Sequence, residues 1–349
     1  MPVREKIPVA ILGATGAVGQ RFARLLAGHP WFEVAAVAAS ERSAGRRYVD
    51  ACQWVIPGDP PAGIAEQVVR PLEPNLPARI LFSALPTPVA REIEPAFAAA
   101  GFLLCSNASA YRNVPDVPLL IPEINGDHVG LVEHQRAQRG WPGLIVTSPN
   151  CTVTGPAMAL KPLHEAFGVR KVFMSSMQAT SGAGYPGVAS LDILDNVVPY
   201  IPGEEEKFQQ ELCKLLGAFS GDGIVGPEIT VSAHANRVPV LDGHTVSLSV
   251  GFDQPPTPEE AMVVLRAYRP AVGGLPSSPD QLIFVRTEPD RPQPRRDRDA
   301  AGGMAVSVGR VRPCPLLDLR MTTVVHNTLR GAASGAVLNA ELLVSAGYA

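Results

Sequence analysis

The sequence predicts an α/β protein with an N-terminal Rossmann-type, doubly wound parallel sheet and a second, α+β domain built on a mixed sheet. Three patterns favour this fold. Apolar runs alternate with helical stretches over the first 150 residues, a glycine-spaced turn follows the first run, and the runs after Lys171 alternate apolar with polar residues. Strands buried on both faces are continuously apolar, whereas strands with one solvated face alternate.

The predicted parallel sheet is assembled from short apolar runs. The first, Val9–Leu12, leads through the glycine turn into an amphipathic helical pattern. Later runs end at Ser40, Pro86 and Asn107, and a helical stretch over 89–100 separates the last two. Buried strands that alternate with helices indicate parallel pairing with helices on the sheet faces.

A further apolar run, Leu144–Thr147, leads into the turn Ser148-Pro-Asn-Cys-Thr. Because proline is favoured in the first turn of a helix, we expect Pro156 to open a helix that ends near Phe167. Cys151 would then lie in the turn just before that helix. We predict one domain over residues 1–150, a second over 151–326, and a helix over 327–349 that returns to the first domain.

Composition narrows the class of function. A net charge of −3 gives no general attraction to nucleic acids or anionic lipids, and no apolar run approaches the roughly 20 residues that span a bilayer. The N-terminal residues lack the pattern of an export signal, so we expect a cytoplasmic protein without nucleic-acid or membrane partners. The basic run from Arg291 to Arg298 mixes signs and prolines and is interpreted as a solvated loop.

The five cysteines form no CxxC pair and have no histidines at metal-ligand spacing, so neither a metal site nor a disulfide framework is expected. Four of them are interpreted as small buried hydrophobes, namely Cys52, Cys105, Cys213 and Cys314. Cys151 differs because it precedes a predicted helix start. The positive end of that helix is expected to lower the thiol pKa and to bind an oxyanion.

The turn after the first strand, Gly13-Ala-Thr-Gly-Ala-Val-Gly19, has glycines at its first, fourth and seventh positions. Backbone amides at such a turn approach a pyrophosphate closely, and the helix N-terminus favours its charge. The alternative is a turn that serves packing alone. The strand before it and the amphipathic helix after it favour a dinucleotide site.

The end of the second strand indicates which dinucleotide binds. Sites that prefer NAD usually carry an acidic residue there, whereas this chain has Ser40, Arg42 and Ser43, which suit a 2′-phosphate. Glu41 supports the opposite choice, since it can turn toward the ribose hydroxyls of NAD. We expect NADP(H) to be the cofactor.

Five blocks of sequence resemble the archaeal and fungal branch of the aspartate-semialdehyde dehydrogenase family. With the glycine turn they cover nearly the whole chain in family order. The blocks are Ser148-Pro-Asn-Cys-Thr, Met177-Gln-Ala-Thr-Ser-Gly-Ala-Gly-Tyr-Pro-Gly, Leu191-Asp-Ile-Leu-Asp-Asn, Arg237-Val-Pro-Val-Leu-Asp-Gly-His and His326-Asn-Thr-Leu-Arg-Gly-Ala-Ala.

The resemblance implies a role for each matched residue in the reaction. Cys151 would attack the acyl carbon, His244 would act as acid and base, and Gln178 would orient the acyl intermediate. Substrate contacts are implied for the carboxylate (Arg237), the ammonium (Glu204) and the phosphate (Arg112, Lys207 and Asn107). Without the family, the Glu204-Glu-Glu-Lys run is more typical of an exposed helix start than of a substrate contact.

The resemblance also implies a first domain that binds NADP(H) and a second domain for catalysis and dimerisation. The implied cofactor contacts are Gly13, Thr15, Gly16, Ala17, Val18, Gly19, Ser40, Arg42, Ser43, Ser83, Ala84, Leu85, Ser181, Gly182 and Asn327.

The resemblance implies reversible, NADP-dependent reduction of L-aspartyl 4-phosphate to L-aspartate 4-semialdehyde through a cysteine thioester. This chemistry belongs to lysine, threonine and methionine biosynthesis, with a small-molecule substrate, phosphate and a homodimer or homotetramer. Three alternatives stay open: a malonyl-CoA reductase, an N-acetyl-glutamyl-phosphate reductase and a non-catalytic NADP sensor. Val153 and Val246 depart from the family pattern, and His234 has no assigned role.

Overall fold

Residues 5–270 and 272–349, which a computed structural model describes, form two large sheets, a small hairpin and the helices around them. The strands are β1 Ile7–Leu12, β2 Phe32–Ala38, β3 Ile80–Ser83, β4 Leu103–Ser106, β5 Leu144–Thr147, β6 Val169–Gln178, β7 Ala218–Phe219, β8 Ile224–Val225, β9 Thr230–Arg237, β10 His244–Phe252, β11 Ile283–Arg286, β12 Val306–Pro313 and β13 Leu319–Val325.

The helices follow in chain order, and a π-helical turn, Leu329–Ala333, leads into the last of them. They are α1 Ala17–Leu26, α2 Tyr48–Ala51, α3 Ala62–Ala65, α4 Thr87–Ala99, α5 Pro122–Asn125, α6 Leu131–Arg139, α7 Cys151–Phe167, α8 Ser190–Ile193, α9 Glu204–Leu216, α10 Pro258–Ala267, α11 Pro294–Asp297 and α12 Ser334–Ser345. Within the described residues, no helix combines the length and the apolar composition that a bilayer crossing requires.

The first sheet is parallel throughout, with the strand order β2-β1-β3-β4-β5. The prediction of a doubly wound sheet is confirmed. The order reverses direction at β1, because β2 lies on one side of it and β3 on the other. Ligands of such sheets bind at the carboxyl ends of the strands beside this reversal.

Helices cover both faces of this sheet. On one face, Phe22 of α1 and Phe82 of β3 pack with their ring centroids 5.1 Å apart, and Leu343 of α12 joins the same core. On the other face, Phe97 of α4 is fully buried. Helix α12 therefore packs against elements of the first sheet.

The second sheet is mixed, with the strand order β11-β12-β13-β10-β6-β9, as predicted. Its inner face packs against α7, α9 and α10. In β10 the side chains of Val246 and Leu248 point into this core, whereas Ser247 and Ser249 are half-exposed on the outer face. Alternation of this kind leaves the outer face without a covering layer in the described chain.

The start of α7 differs from the prediction. The helix begins at Cys151, not at Pro156, because Asn150 caps it: the Asn150 side chain accepts a hydrogen bond from the Thr152 amide at 2.8 Å. Pro156 and Pro162 both lie inside the helix, where each removes one intrahelical hydrogen bond. The Asn150 cap, and not the first proline, therefore determines where α7 begins.

The basic run after Arg291 also differs from the solvated loop predicted for it. Part of it forms α11, and Arg291 Nε donates to the buried carboxylate of Asp297 at 2.7 Å. Arg286 pairs with the same carboxylate at 2.9 Å. The charges of this run are therefore partly neutralised inside the second domain.

Candidate active site

The glycine turn between β1 and α1 requires glycine for steric reasons. Gly13 has a φ of +74°, and a Cβ there would lie 2.8 Å from the Ala84 carbonyl oxygen. A Cβ at Gly19 would lie 2.3 Å from the Gly13 carbonyl oxygen. These contacts bring the turn against Ala84 and Leu85, which the sequence also assigns to the cofactor site.

The amides of this turn are available to a ligand. Gly16 caps α1 without a side-chain hydrogen bond, and the amides of Ala17, Val18 and Gly19 bond to none of the residues that the structure describes. An α-helix N-terminus with free amides is an anion site. The backbone of Thr15, whose carbonyl the Gln20 side chain binds at 3.0 Å, completes the turn.

Two side chains that the sequence reasoning missed hold the glycine turn in place. Tyr48 is buried, and its hydroxyl donates to the Ala14 carbonyl at 3.0 Å. Gln20 binds both Thr15 and the Gln53 carbonyl, and it accepts from the Val55 amide at 2.8 Å. Apart from the Gln20–Thr15 bond, these contacts span more than 30 residues, so local sequence patterns give no signal for them.

The segment after β2 forms a turn in which the Ser40 carbonyl accepts from the Ser43 amide at 2.8 Å. Ser43 is buried, while Ser40, Glu41 and Arg42 are exposed. Among the described residues Arg42 has no ion-pair or hydrogen-bond partner. Its guanidinium is therefore available to an anion beside the nucleotide turn.

Cys151 and His244 lie side by side, with Sγ and Nε2 3.2 Å apart. Each is the first residue of its element, α7 and β10, and the two elements pack against each other. We call the space that Gly182 lines beside His244 and Arg237 the cleft. Gly331 of the π-helical turn packs on the cysteine: a Cβ at Gly331 would lie 2.8 Å from the Cys151 Cβ. The sequence prediction did not include Gly331.

Both groups are neutral near pH 7 in this structure. Burial, with Glu204 adding to it, raises the pKa of the Cys151 thiol to about 11, although Arg112 and Arg237 oppose the shift. Burial, with Arg237 and His326 adding to it, lowers the pKa of His244 to about 3. The expectation of a lowered thiol pKa is therefore wrong here, because burial and Glu204 outweigh the opposing effect of Arg112 and Arg237.

The hydrogen bonds of His244 determine its tautomer. Its Nδ1 accepts the backbone N–H of Ala179 at 3.0 Å. Because a backbone amide can only donate, the lone pair of Nδ1 is occupied and the proton of the neutral ring resides on Nε2. That proton faces the sulfur of Cys151.

Glu204 is the centre of a polar cluster beside the cysteine. Both of its carboxylate oxygens lie 3.0 Å from Asn150 Nδ2, and Lys207 Nζ donates to it at 2.9 Å. Gln178, which is 1% exposed, donates to it at 3.4 Å. Glu205 is exposed whereas Glu204 is buried, so only part of this helix start has the exposed character considered above.

Arg112 lies at the mouth of the same cluster. Its guanidinium donates to the Asn107 carbonyl at 2.7 Å and to Glu211 at 3.2 Å, while its buried Nε has no hydrogen-bond partner in the described part of the chain. Both polar side-chain atoms of Asn107 are also buried without partners. Unpartnered buried polar atoms of this kind are satisfied when a ligand binds.

Arg237 and the loop after β6 close the other side of the site. Arg237 is buried and donates to the Ala179 carbonyl at 2.8 Å. A Cβ at Gly182 would lie 2.7 Å from the Arg237 guanidinium and 3.0 Å from the His244 ring, so this glycine keeps the space between them open. Burial lowers the pKa of Arg237.

Asn327 links the two loops that flank His244. Its Oδ1 accepts from the Gly243 amide at 2.8 Å, and its Nδ2 donates to Ser181 Oγ at 2.9 Å. Both ends of the side chain are thus occupied by protein. Ser83, by contrast, is buried and its hydroxyl has no partner among the described residues.

The structure gathers the predicted catalytic and substrate residues at one cleft and the nucleotide turn at the adjoining sheet edge. His234 lies elsewhere: it is exposed on the outer face of the second sheet, with its ring centroid 5.6 Å from that of Phe173. Its position gives it no contact with the cleft.

Two family models and several known proteins match this chain. A family model described as semialdehyde dehydrogenase, NAD binding domain, matches residues 8–132, and one described as semialdehyde dehydrogenase, dimerisation domain, matches residues 160–330. The aspartate-semialdehyde dehydrogenase of Archaeoglobus fulgidus is 51% identical, covering 96% of this chain and 97% of the relative. That of Schizosaccharomyces pombe is 46% identical, covering 97% and 98% respectively.

A solved structure is similar over the same length. The crystal structure of aspartate-semialdehyde dehydrogenase with NADP from Candida albicans has a TM-score of 0.90 and 42% sequence identity. The match covers 97% of this chain and 99% of that one.

Proposed function

Because the chain belongs to the aspartate-semialdehyde dehydrogenase family, we propose that it catalyses the reversible, NADP-dependent reductive dephosphorylation of L-aspartyl 4-phosphate to L-aspartate 4-semialdehyde. The product would serve lysine, threonine and methionine biosynthesis. The observation that carries the proposal is the 3.2 Å contact between Cys151 Sγ and His244 Nε2, in a cleft that also contains Glu204 and Arg237.

The proposed reaction runs through a thioester on Cys151. The Cys151 thiol, which is neutral in the resting site, first gives its proton to solvent. The resulting thiolate attacks the acyl carbon, the C–S bond forms, and phosphate leaves with the electron pair of its bond to that carbon. When bound, NADPH supplies the hydride that reduces the thioester carbonyl; the sulfur then departs as the aldehyde forms. The amide of Cys151 has no partner among the described residues, which makes it a candidate donor to the oxyanion.

His244 is proposed to act first as a hydrogen-bond donor at Nε2. The Ala179 amide occupies Nδ1, so the Nε2 proton stabilises a thiolate at 3.2 Å. An acid role would require a second proton on Nδ1, because a neutral ring that gave up its Nε2 proton would become an imidazolate. A base role at Nε2 would first require Nδ1 to take a proton and give up its bond to Ala179. The low pKa of His244 favours the neutral form that makes this donation.

The nucleotide turn fits NADP(H). Its free amides and the close approach that Gly13 and Gly19 allow suit the pyrophosphate, and the exposed Arg42 beside Ser40 suits the 2′-phosphate. The structure of the Candida albicans relative with NADP supports the same cofactor for this chain.

The substrate groups are proposed to bind on opposite sides of Cys151. Arg237 would bind the carboxylate and Glu204 the ammonium group, since a guanidinium and a carboxylate are the matching charges. Arg112, Lys207 and Asn107 would bind the phosphate. The unpartnered Nε of Arg112 and the unpartnered Asn107 amide support an anion at this position and favour an acyl phosphate over a CoA thioester.

The experiment that tests this function is phosphate-dependent reduction of NADP⁺ by aspartate semialdehyde. Wild-type protein is expected to be active, and Cys151→Ala is expected to be inactive while still binding NADPH. Faster turnover with malonyl-CoA would favour that reductase instead. Tight NADPH binding without any turnover would indicate the sensor.

We also propose that the chain forms a homodimer or homotetramer. The outer face of the second sheet is uncovered in the described chain, and the nearby segment exposes Leu191, Leu194 and Tyr200 by 91%, 62% and 65%. The family model named for dimerisation spans this region. Light scattering that gives a monomer mass at micromolar concentration would contradict the proposal.

A further inference from the structure

Helix α9 has four charged residues on the face that borders the site. Glu204, Lys207, Glu211 and Lys214 are spaced three, four and three residues apart, which aligns them along one side of a helix. Glu211 is 1% exposed, whereas Glu206 on the opposite side is exposed. A buried carboxylate is stable only when hydrogen bonds satisfy both of its oxygens.

The two oxygens of Glu211 bind two separate parts of the site. Oε1 accepts from Arg112 at 3.2 Å, and Oε2 accepts from the backbone amide of Asn150. Arg112 is the proposed phosphate contact, and Asn150 caps the helix whose first residue is Cys151. One carboxylate therefore fixes both the guanidinium and the start of the nucleophile's helix.

Lys214 lies one turn farther along α9 and binds only the loop that carries Arg112. Its ammonium donates to the carbonyls of Arg112, Val114 and Val117 at 2.8, 2.8 and 2.7 Å. These three bonds fix the loop that carries Arg112 without touching the turn at Asn150. The helix thus provides two anchors for the phosphate contact, of which only Glu211 also reaches the cysteine.

We propose that Glu211 is a positioning residue that sets the separation between the phosphate contact, Arg112, and the nucleophile, Cys151. This inference rests on the proposed function of the same site. The two oxygens of the Glu211 carboxylate hold Arg112 and the turn before Cys151, and so they fix the distance between a phosphate bound at Arg112 and the Cys151 sulfur. If Glu211 loses its bond to Arg112 or its bond to the Asn150 amide, that buried donor is left without an acceptor and the group that carries it is free to move.

The decisive variant is Glu211→Gln, in which the amide retains one acceptor oxygen and presents a donor where the second acceptor was. We expect the KM for phosphate to rise at least 10-fold and kcat to fall at least 10-fold, with the KM for NADP⁺ unchanged. Lys214→Gln is expected to raise the KM for phosphate alone. The matched control is Glu206→Gln on the same helix, expected to match wild type in every parameter.

A second readout does not depend on turnover. Alkylation of Cys151 by iodoacetamide is followed as inorganic phosphate is titrated, with Cys52→Ser and Cys213→Ser in the background to limit labelling to the site. In the wild type, phosphate is expected to change the alkylation rate of Cys151. Lys214→Gln is expected to shift only the midpoint of the phosphate titration. Glu211→Gln is expected to shift that midpoint and also to change the alkylation rate without phosphate. If Glu211→Gln does not fold, Glu211→Asp, which shortens the same carboxylate, takes its place.

The inference is overturned if the Glu211 variant folds and retains the wild-type KM for phosphate and the wild-type alkylation rate. It is also overturned if the Glu211 and Lys214 variants change the same parameters equally, since Glu211 would then act on the loop alone. Failure of the proposed function gives a different result: the wild-type protein itself would not reduce NADP⁺ in the presence of phosphate and aspartate semialdehyde.

Discussion

The molecule contains two strand-to-helix turns at the same sheet edge, one between β1 and α1 and one between β5 and α7. The first is capped by Gly16 without a side-chain bond, and the three amides that follow it are unpaired among the described residues. In the second, Asn150 binds the Thr152 amide through its side chain and the amides of Val153 and Thr154 through its carbonyl.

The difference lies in which groups satisfy the helix N-terminus. The first turn reserves its amides for an external anion, which suits a cofactor that binds and leaves. The second satisfies them internally and leaves only the amide of Cys151 unpaired beside a thiol, which suits covalent chemistry. Two copies of one supersecondary unit thereby separate cofactor binding from bond formation.

The largest effect is expected at the second turn. Cys151→Ser replaces the thiol by a poorer nucleophile, so kcat should fall by at least about 10³-fold. The dissociation constant for NADPH, measured by fluorescence titration, should stay within a factor of two. A large loss of NADPH affinity would show that the two turns do not act separately.

The reciprocal change is Gly19→Ala at the first turn. The new Cβ would lie 2.3 Å from the Gly13 carbonyl oxygen, so the backbone must shift. Overpacking of this kind costs about 1–3 kcal/mol, and if the whole cost falls on the bound state NADPH affinity drops about 5- to 150-fold. The iodoacetamide reactivity of Cys151 should not change; an equal change there would contradict the separation.

A third prediction concerns Glu94 of α4, which lies between the two turns and packs beneath β3 and β4. It is fully buried, Ser106 Oγ donates to it at 2.6 Å, and burial raises its pKa to about 7. Since an exposed glutamate titrates near pH 4.3, the folded protein holds the proton longer and loses stability as pH rises from about 4.5 through 7.

Between pH 5 and pH 8 the free energy of unfolding should therefore fall by about 2 kcal/mol less in Glu94→Gln than in the wild type. Urea unfolding at the two pH values measures it, with the exposed Glu92→Gln on the same helix as the control. The interpretation fails if wild type and Glu94→Gln lose equal stability over this range.

The smallest effect is expected from Asn150→Ala, which removes the cap of α7. The loss of one cap costs about 1 kcal/mol of unfolding free energy. Because Asn150 also donates to both oxygens of Glu204, kcat should fall more than stability alone explains. Gly16→Ala at the first turn removes no side-chain bond and serves as the comparison.

The sequence predicted the first turn better than the second. Glycine spacing is local, so the turn, β1 and α1 were all found. The predictions for the start of α7 and for the thiol pKa were wrong. The helix start depends on Asn150 as a cap, and the thiol pKa depends on burial by distant segments. Glu211 was missed for the same reason, since it lies 61 residues from Asn150 and 99 from Arg112. Its one signal is the helical spacing from Glu204.

The packing of Gly331 against Cys151 has a consequence for biosynthesis. Asn339 Nδ2 also donates to Ser148 Oγ at 3.2 Å, so the segment after Thr328 completes both sides of the nucleophile's turn. Domains generally fold from the N-terminus while the ribosome is still translating. A nascent chain that has not yet released this segment therefore has the Cys151 thiol but lacks the contacts of Gly331 and Asn339 with its turn.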